Sequence, residues 1–108
     1  MTGAELIAAE RQRVLDQEDY TSEHDDSHVS GELAQAAIAY AMTAYHTRAG
    51  WDPTAANSPP NPWWPWEKQF WKPDTPIRML VKAGSLIAAE IDRLQRKADR
   101  QSQPANKS

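Results

Sequence analysis

Fifteen residues, Pro59 to Pro73 (PPNPWWPWEKQFWKP), restrict this chain's architecture more than any other stretch. They place four of its five tryptophans within nine positions, between two helix-like regions. Proline fixes φ and removes a backbone donor, so the six of eight prolines that fall between Ala49 and Pro73 bar any long regular element there. Tryptophan adds a large flat apolar face with one N–H donor. The run therefore reads as a stiff aromatic surface rather than a slack linker, with room for one short helical turn around Trp66 to Phe70.

Helical patterns flank it. Leu6, Ile7, Val14 and Leu15 recur at helical spacing from about residue 4 to 17, with Thr2 or Gly3 as the start. Asp19 to Val29 lacks periodicity, is rich in turn formers and reads as a loop. Ser30 offers an N-cap, Glu32 puts negative charge in the first turn, and the alanine-rich stretch beyond predicts a helix over about 30–48 whose small side chains admit a close neighbour. Thr75 as N-cap, Pro76 at the first position and the apolar series Ile77, Leu80, Val81, Gly84, Ile87, Ala88, Ile91 and Leu94 predict a third helix over about 75–98. Glycine in mid-helix costs about 1 kcal/mol relative to alanine, so Gly84 signals a close helix contact or a ligand approach. Leu6-Ile7-Ala8-Ala9-Glu10 with Arg13 recurs as Leu86-Ile87-Ala88-Ala89-Glu90 with Arg93, which would place Glu10 and Glu90 at matching points of paired helices. The expected fold is all-α: one domain over 1–98, three main helices with the Trp/Pro-rich loop 49–73 packed over them, a homo-oligomeric helical assembly, and a disordered tail over 99–108.

Composition narrows the function classes. A net charge of −3 argues against a broad cationic nucleic-acid face, although Arg93, Arg96, Lys97, Arg100 and Lys107 gather near the C-terminus. The absence of cysteine excludes disulfides, thiolate metal sites and cysteine nucleophiles. With neither a basic leader nor an apolar h-region, and no apolar run of the ~20 residues that span a bilayer, the expectation is a cytoplasmic protein without a membrane partner. Glycine-rich phosphate loops, nucleophile elbows and zinc-finger spacings are missing as well.

Three constellations remain. Glu23-His24-Asp25-Asp26-Ser27-His28 followed by Glu32 would line up His24, His28 and Glu32 on one face if helical, a set suited to a transition metal. Turn formation with backbone capping and a polar ligand-contacting loop are the other readings of that segment. Glu10, Asp26, Glu32 and Glu90 raise a magnesium-dependent, all-α nucleotide pyrophosphohydrolase, but the paired E-x-x-E and E-x-x-D pattern of such enzymes is missing, and Glu90 and Asp92 are two apart on a helix. The tryptophans beside Lys68, Lys72, Arg78 and Lys82 combine stacking faces with cations, the composition that holds a base and a phosphate. A lid over the core and an oligomer contact are the alternative uses of the same run.

Taken together, Glu10-Arg11, Arg13, Tyr20-Thr21, Glu23-His24-Asp25-Asp26, His28, Gly31-Glu32-Leu33-Ala34, Ala36-Ala37, Tyr40-Ala41, Trp64-Pro65-Trp66, Trp71-Lys72-Pro73, Arg78, Leu80-Val81-Lys82-Ala83-Gly84 and Leu86 to Arg93 resemble a family of small proteins from tailed phages and prophages of proteobacteria. The likeness covers about residues 5 to 96. It departs at Tyr20, where the family carries a tryptophan after glycine, and it brings no active site to carry over. The resemblance implies a phage origin, and with it counter-defence factors that sequester cyclic-nucleotide or ADP-ribose-derived immune signals in the host cytoplasm.

The leading expectation is thus a non-enzymatic, cofactor-free homo-oligomer that binds a nucleotide-type small molecule. Trp63, Trp64, Trp66 and Trp71 would supply stacking surfaces, Lys72, Arg78 and Lys82 would take phosphate, and His24, Asp25 and Asp26 would bond base or ribose. Two alternatives come from other classes. One is the magnesium enzyme using Glu10, Glu32 and Glu90; the other is an inhibitor that presents its tryptophan loop to a host protein.

Overall fold

The computed structural model describes residues 1–17, 22–48, 50–55 and 58–102, which form helices and turns and no strand. The helices are α1 (Gly3–Gln17), α2 (Ser22–Asp26), α3 (Glu32–Thr47) and α4 (Pro76–Ser102), with one 3₁₀ turn at Lys68–Phe70. The all-α expectation holds, with three main helices packed together. None of the described helices is long and apolar enough to cross a membrane.

Local chemistry sets the helix starts. Thr2 and Glu5 form a reciprocal capping box: the Glu5 N–H donates to Thr2 Oγ1 (3.1 Å) and the Thr2 N–H to Glu5 Oε1 (2.7 Å). The Arg78 N–H donates to Thr75 Oγ1 (3.3 Å), and Pro76 opens α4 as expected. Ser30 is not the cap of α3. Gly31 holds that position at φ 84°, in the left-handed region that glycine tolerates, while Glu32 Oε1 turns back to accept the Ser30 N–H (2.7 Å). α3 ends at Thr47 rather than 48, and α4 continues to Ser102, so residues 99–102 of the expected tail are helical. Residues 103–108 lie outside the described residues.

One element was not expected. Of the loop read over Asp19 to Val29, residues 22–26 are helical as α2, and 19–21 lie outside the described residues. A five-residue helix is too short to hold itself. Ion pairs fix it instead: Arg11 of α1 donates to Asp25 Oδ2 (3.2 Å), and Arg96 of α4 donates to Asp26 Oδ1 (2.8 Å).

The core lies between α3 and α4. Ala36, Ala37, Ala39, Tyr40 and Ala44 are buried on α3, facing Met79 and Ala83 of α4 and Trp71 of the loop. The small α3 side chains admit the close approach anticipated for them, and the aromatic rings fill the remaining volume. α1 packs on α4 as well, and there Gly84 has its explanation: a Cβ at residue 84 would stand 2.5 Å from Ile7 Cδ1. The contact at Gly84 is therefore with a helix.

The repeated segment makes the same local pair twice. Arg13 forks onto Glu10 (3.0 and 2.7 Å) and Arg93 onto Glu90 (2.6 and 3.1 Å), each three residues on.

Candidate functional site

A cavity of about 500 Å³ opens where α1, α2, α3, α4 and the tryptophan loop meet within one chain. That volume lies in the range of small-molecule sites. Its walls differ in chemistry. Tyr40, Trp64, Trp66 and Phe70 give an aromatic side, Val14, Leu33, Leu86 and Ala89 an aliphatic base, and Arg11, Arg13, Lys72 and Lys82 bring cations, beside Glu10, Asp25, Glu67, Ser85, His24 and His28.

Asn61 seats the loop. Buried, it donates through Nδ2 to Thr43 Oγ1 of α3 (3.3 Å), while its own Oδ1 and carbonyl oxygen accept the N–H groups of Trp63 and Trp64 (both 2.9 Å). Trp64 Nε1 donates to the Glu67 carbonyl (3.1 Å), which turns the chain into the 3₁₀ segment. Lys72 is then clamped on both sides of its backbone: its N–H donates to the Tyr40 hydroxyl oxygen (3.2 Å), and its carbonyl accepts from Lys82 Nζ (2.6 Å).

These constraints build a continuous aromatic path from core to surface. Trp71 stacks on Tyr40 (centroids 4.7 Å apart, planes 17° apart), and Trp64 sets its edge to both. Trp66 meets Trp64 at 5.2 Å, His28 meets Trp66 at 5.1 Å, and His24 meets His28 at 4.9 Å. The Nε2 atoms of the two histidines are 3.3 Å apart.

The charged groups fall into two sets. Glu10, buried, accepts from Arg13 and from Arg78 Nη2 (2.9 Å), and the hydrogen bonds from Arg13, ahead of the burial that opposes them, hold its carboxyl below the usual range. Arg11 likewise spans Asp25 (3.2 Å) and Asp92 (3.5 Å). The lysines are different. Burial pushes the Lys82 ammonium below its ordinary value, against the pull of Asp74 and Glu10, and its Nζ stands 5.5 Å from the Tyr40 ring centroid. Among the described residues neither Lys72 nor Lys82 has a carboxylate ion-pair partner.

Of the residues singled out from sequence, the fold brings Trp64, Trp66, Lys72, Lys82, His24 and Asp25 to this cavity, together with Glu10 and His28 of the metal readings. The others lie elsewhere. Trp71 is a core residue under Tyr40, because the 3₁₀ turn directs it inward. Trp63 lines a second hollow with Trp51, Pro59, Pro60 and Pro62. Arg78 turns to Glu10, and Asp26 turns outward to Arg96 and Arg100, whose guanidinium groups, Arg96 first, lower its pKa. Asp25 lines the cavity as a buried residue with its carboxylate engaged by Arg11, so a base or ribose contact from it would have to displace an arginine.

The carboxylates proposed for magnesium do not assemble. Glu10 and Glu90 are each forked by an arginine, and Glu32 folds back on its own helix start, its carboxyl lowered first by its own backbone N–H. His28 Nδ1 lies 3.9 Å from Glu32 Oε2 on the side of the ring away from His24, so the three do not converge. Among the described residues no three His, Asp or Glu side chains are grouped to hold a metal ion. Sequence reasoning missed Tyr40, Phe70, Arg11 and Arg13. Tyr40 had a signal, as the one aromatic residue on the buried face of α3. Comparison of the chain with protein-family models, with curated proteins and with solved structures yields no match.

Proposed function

We propose that this chain is a binding protein that sequesters a nucleotide-derived molecule in the cavity between the tryptophan loop and α1, α2 and α4. One observation carries the reading: the aromatic wall of Trp66, Trp64 and Phe70 shares a single cavity with Lys72 and Lys82, two cations that lack carboxylate partners. A base stacks on an aromatic face at a gain of about 1–3 kcal/mol, and a phosphate takes up the Lys82 ammonium, whose burial otherwise has a cost, beside the exposed Lys72. His24, at the rim, supplies a ring nitrogen for base or ribose. The resemblance to phage proteins gives such a site a use, the capture of a nucleotide-type immune signal in the host cytoplasm.

The test uses the purified protein and a panel of cyclic dinucleotides, cyclic ADP-ribose isomers and nucleoside triphosphates, with and without magnesium. Each mixture is separated from free compound, heat-denatured, and the released material chromatographed. One compound recovered intact supports sequestration, and Trp66→Ala and Lys82→Met should each weaken that binding tenfold or more while keeping the helical spectrum. A magnesium-dependent product would replace sequestration with hydrolysis.

A second reading rests on Trp51 and Trp63, which stay 41 and 50 % exposed beside the second hollow. Aromatic side chains left in solvent suit a protein partner. No depletion of any compound in the panel would turn the assignment to that surface.

A further inference from the structure

His28 has no assigned part in the nucleotide site, yet the fold sets it against His24 in a defined way. Their Nε2 atoms stand 3.3 Å apart, and both residues line the cavity. That separation is long for a hydrogen bond from a ring N–H, which typically runs about 2.7–3.2 Å to oxygen. It suits two ligands of one metal ion. At a Zn–N distance of about 2.0–2.1 Å and tetrahedral angles, two nitrogens on the same ion lie about 3.3–3.4 Å apart.

The rest of the chain holds the pair in place. The turn that closes α2 brings residue 28 back over residue 24: the Ser27 N–H and hydroxyl donate to the His24 carbonyl (3.1 and 2.6 Å), and the His28 N–H donates to the Asp25 carbonyl (3.0 Å). Between the histidines, Asp25 is anchored by Arg11 of α1 and Asp26 by Arg96 of α4, so α2 cannot slide without breaking two ion pairs. Trp66 lies against the His28 ring (centroids 5.1 Å apart), and Glu32 Oε2 stands 3.9 Å from Nδ1, the His28 nitrogen that does not face His24. Metal-bound imidazoles turn their second ring nitrogen to a carboxylate, carbonyl or water, and Glu32 is placed for that role. An ion arriving here would require little further ordering of the chain.

The donor set selects the ion. Imidazole nitrogen suits zinc, nickel and copper, whereas magnesium and calcium take oxygen. Glu10, Asp25 and Asp26 are engaged by arginines, and among the described residues no third His, Asp or Glu side chain joins the pair. We propose that the Nε2 atoms of His24 and His28 form a two-ligand site for a transition-metal dication, zinc foremost, whose remaining positions are filled by water or by a donor atom of a cavity ligand. Such an ion would add a positive pole at the rim, and His24 would meet the ligand through it. Metal binding here requires no nucleotide and is tested without one.

With three histidines and no cysteine, the chain offers few competing soft donors. The full chain, stripped of metal with a chelator that is then dialysed away, is titrated with zinc by calorimetry, and His46, in the second hollow, serves as the control. One zinc ion per chain should bind. His24→Gln and His28→Gln should each weaken it by more than the roughly tenfold that loss of a supporting partner costs, with helical content retained, and His46→Gln should leave it unchanged. Imidazole NMR of the unaltered chain reads the site without any substitution: zinc should shift the ring signals of His24 and His28 and leave those of His46 in place. No zinc uptake at millimolar concentration overturns the proposal, as does binding that survives both single substitutions, and a shift confined to His46 puts the ion elsewhere and overturns it too.

Discussion

Trp71 and Trp66 stand five positions apart in one aromatic run, and their removal should have opposite consequences. Trp71 is 8 % exposed and stacked on Tyr40 in the core, so truncation to alanine opens a cavity where an indole had been. Buried Trp→Ala changes cost about 3–5 kcal/mol. Trp71 has an offsetting feature: its Nε1 is buried without a hydrogen-bond partner, and an unsatisfied donor costs about 1–3 kcal/mol that its removal returns. Trp71→Ala should therefore destabilise by about 3 kcal/mol, near the low end of the range, a fall in Tm on the order of 10–20 °C. Trp71→Phe keeps a ring against Tyr40 and removes the orphaned donor, so it should cost only about 1 kcal/mol. Trp66 is half-buried on the cavity wall, and Trp66→Ala should cost less than Trp71→Ala while removing ligand stacking. Urea denaturation followed by far-UV circular dichroism measures all three without using the altered fluorescence. If Trp71→Ala unfolds within 1 kcal/mol of wild type, or Trp71→Phe proves as costly as Trp71→Ala, the assignment of Trp71 to the core with an unsatisfied donor is wrong.

Gly84→Ala should destabilise by about 1–3 kcal/mol despite alanine's better helix propensity, because its Cβ meets Ile7 Cδ1 and Cγ1; in an Ile7→Ala background the same change should become neutral or stabilising. Equal effects in both backgrounds would remove Ile7 as the cause. Acid should weaken the fold through Glu10 and Asp26, whose folded-state pKa values lie below their ordinary ones, chiefly through hydrogen bonds from Arg13 and Arg96 respectively. A lowered folded pKa gives stability that is complete above the unfolded value, about 4 for these carboxylates, and is lost as pH falls through the folded value. The urea midpoint should therefore hold from pH 7 to about 5 and drop below it, and Glu10→Gln, less stable at neutral pH, should converge on wild type in acid. Stability curves that stay parallel to pH 3 would count against the Glu10 contribution.

What was legible in the sequence was whatever rests on local chemistry. Thr75 with Pro76 marked the start of α4, and Thr2 stood three residues before Glu5, as a capping box requires. Gly84 announced a close approach, and Ile7 makes it. What escaped depends on partners distant in the chain. α2 exists because Asp25 and Asp26 meet Arg11 and Arg96, fourteen and seventy positions away, and no window of local periodicity contains those pairs. The tryptophans could be grouped but not sorted, since Trp63, Trp66 and Trp71 differ in role by which side of one turn each occupies. The repeat of Leu-Ile-Ala-Ala-Glu with its arginine was visible, and its Glu–Arg pairs match, yet Glu10 alone gains a second guanidinium from Arg78. Equal motifs met unequal neighbours.

The same sorting divides the cations. Arg11 and Arg13 line the cavity, but each is tied to a buried carboxylate, so they hold α1 and α2 in place. Lys72 and Lys82 are joined instead through a backbone carbonyl, a neutral acceptor that an incoming anion can outbid, since hydrogen bonds to ionised groups are roughly twice as strong as neutral ones. An arginine fork suits a fixed carboxylate geometrically, while an ammonium on a flexible stem can be redirected to a ligand. In a chain of net charge −3, the cavity wall nonetheless carries four cations against three carboxylates. Removing Arg11 leaves the buried Asp25 unpaired and removing Arg13 leaves the buried Glu10 with Arg78 alone, so both should act on the fold first; removing a lysine leaves every ion pair intact and should act first on anion binding.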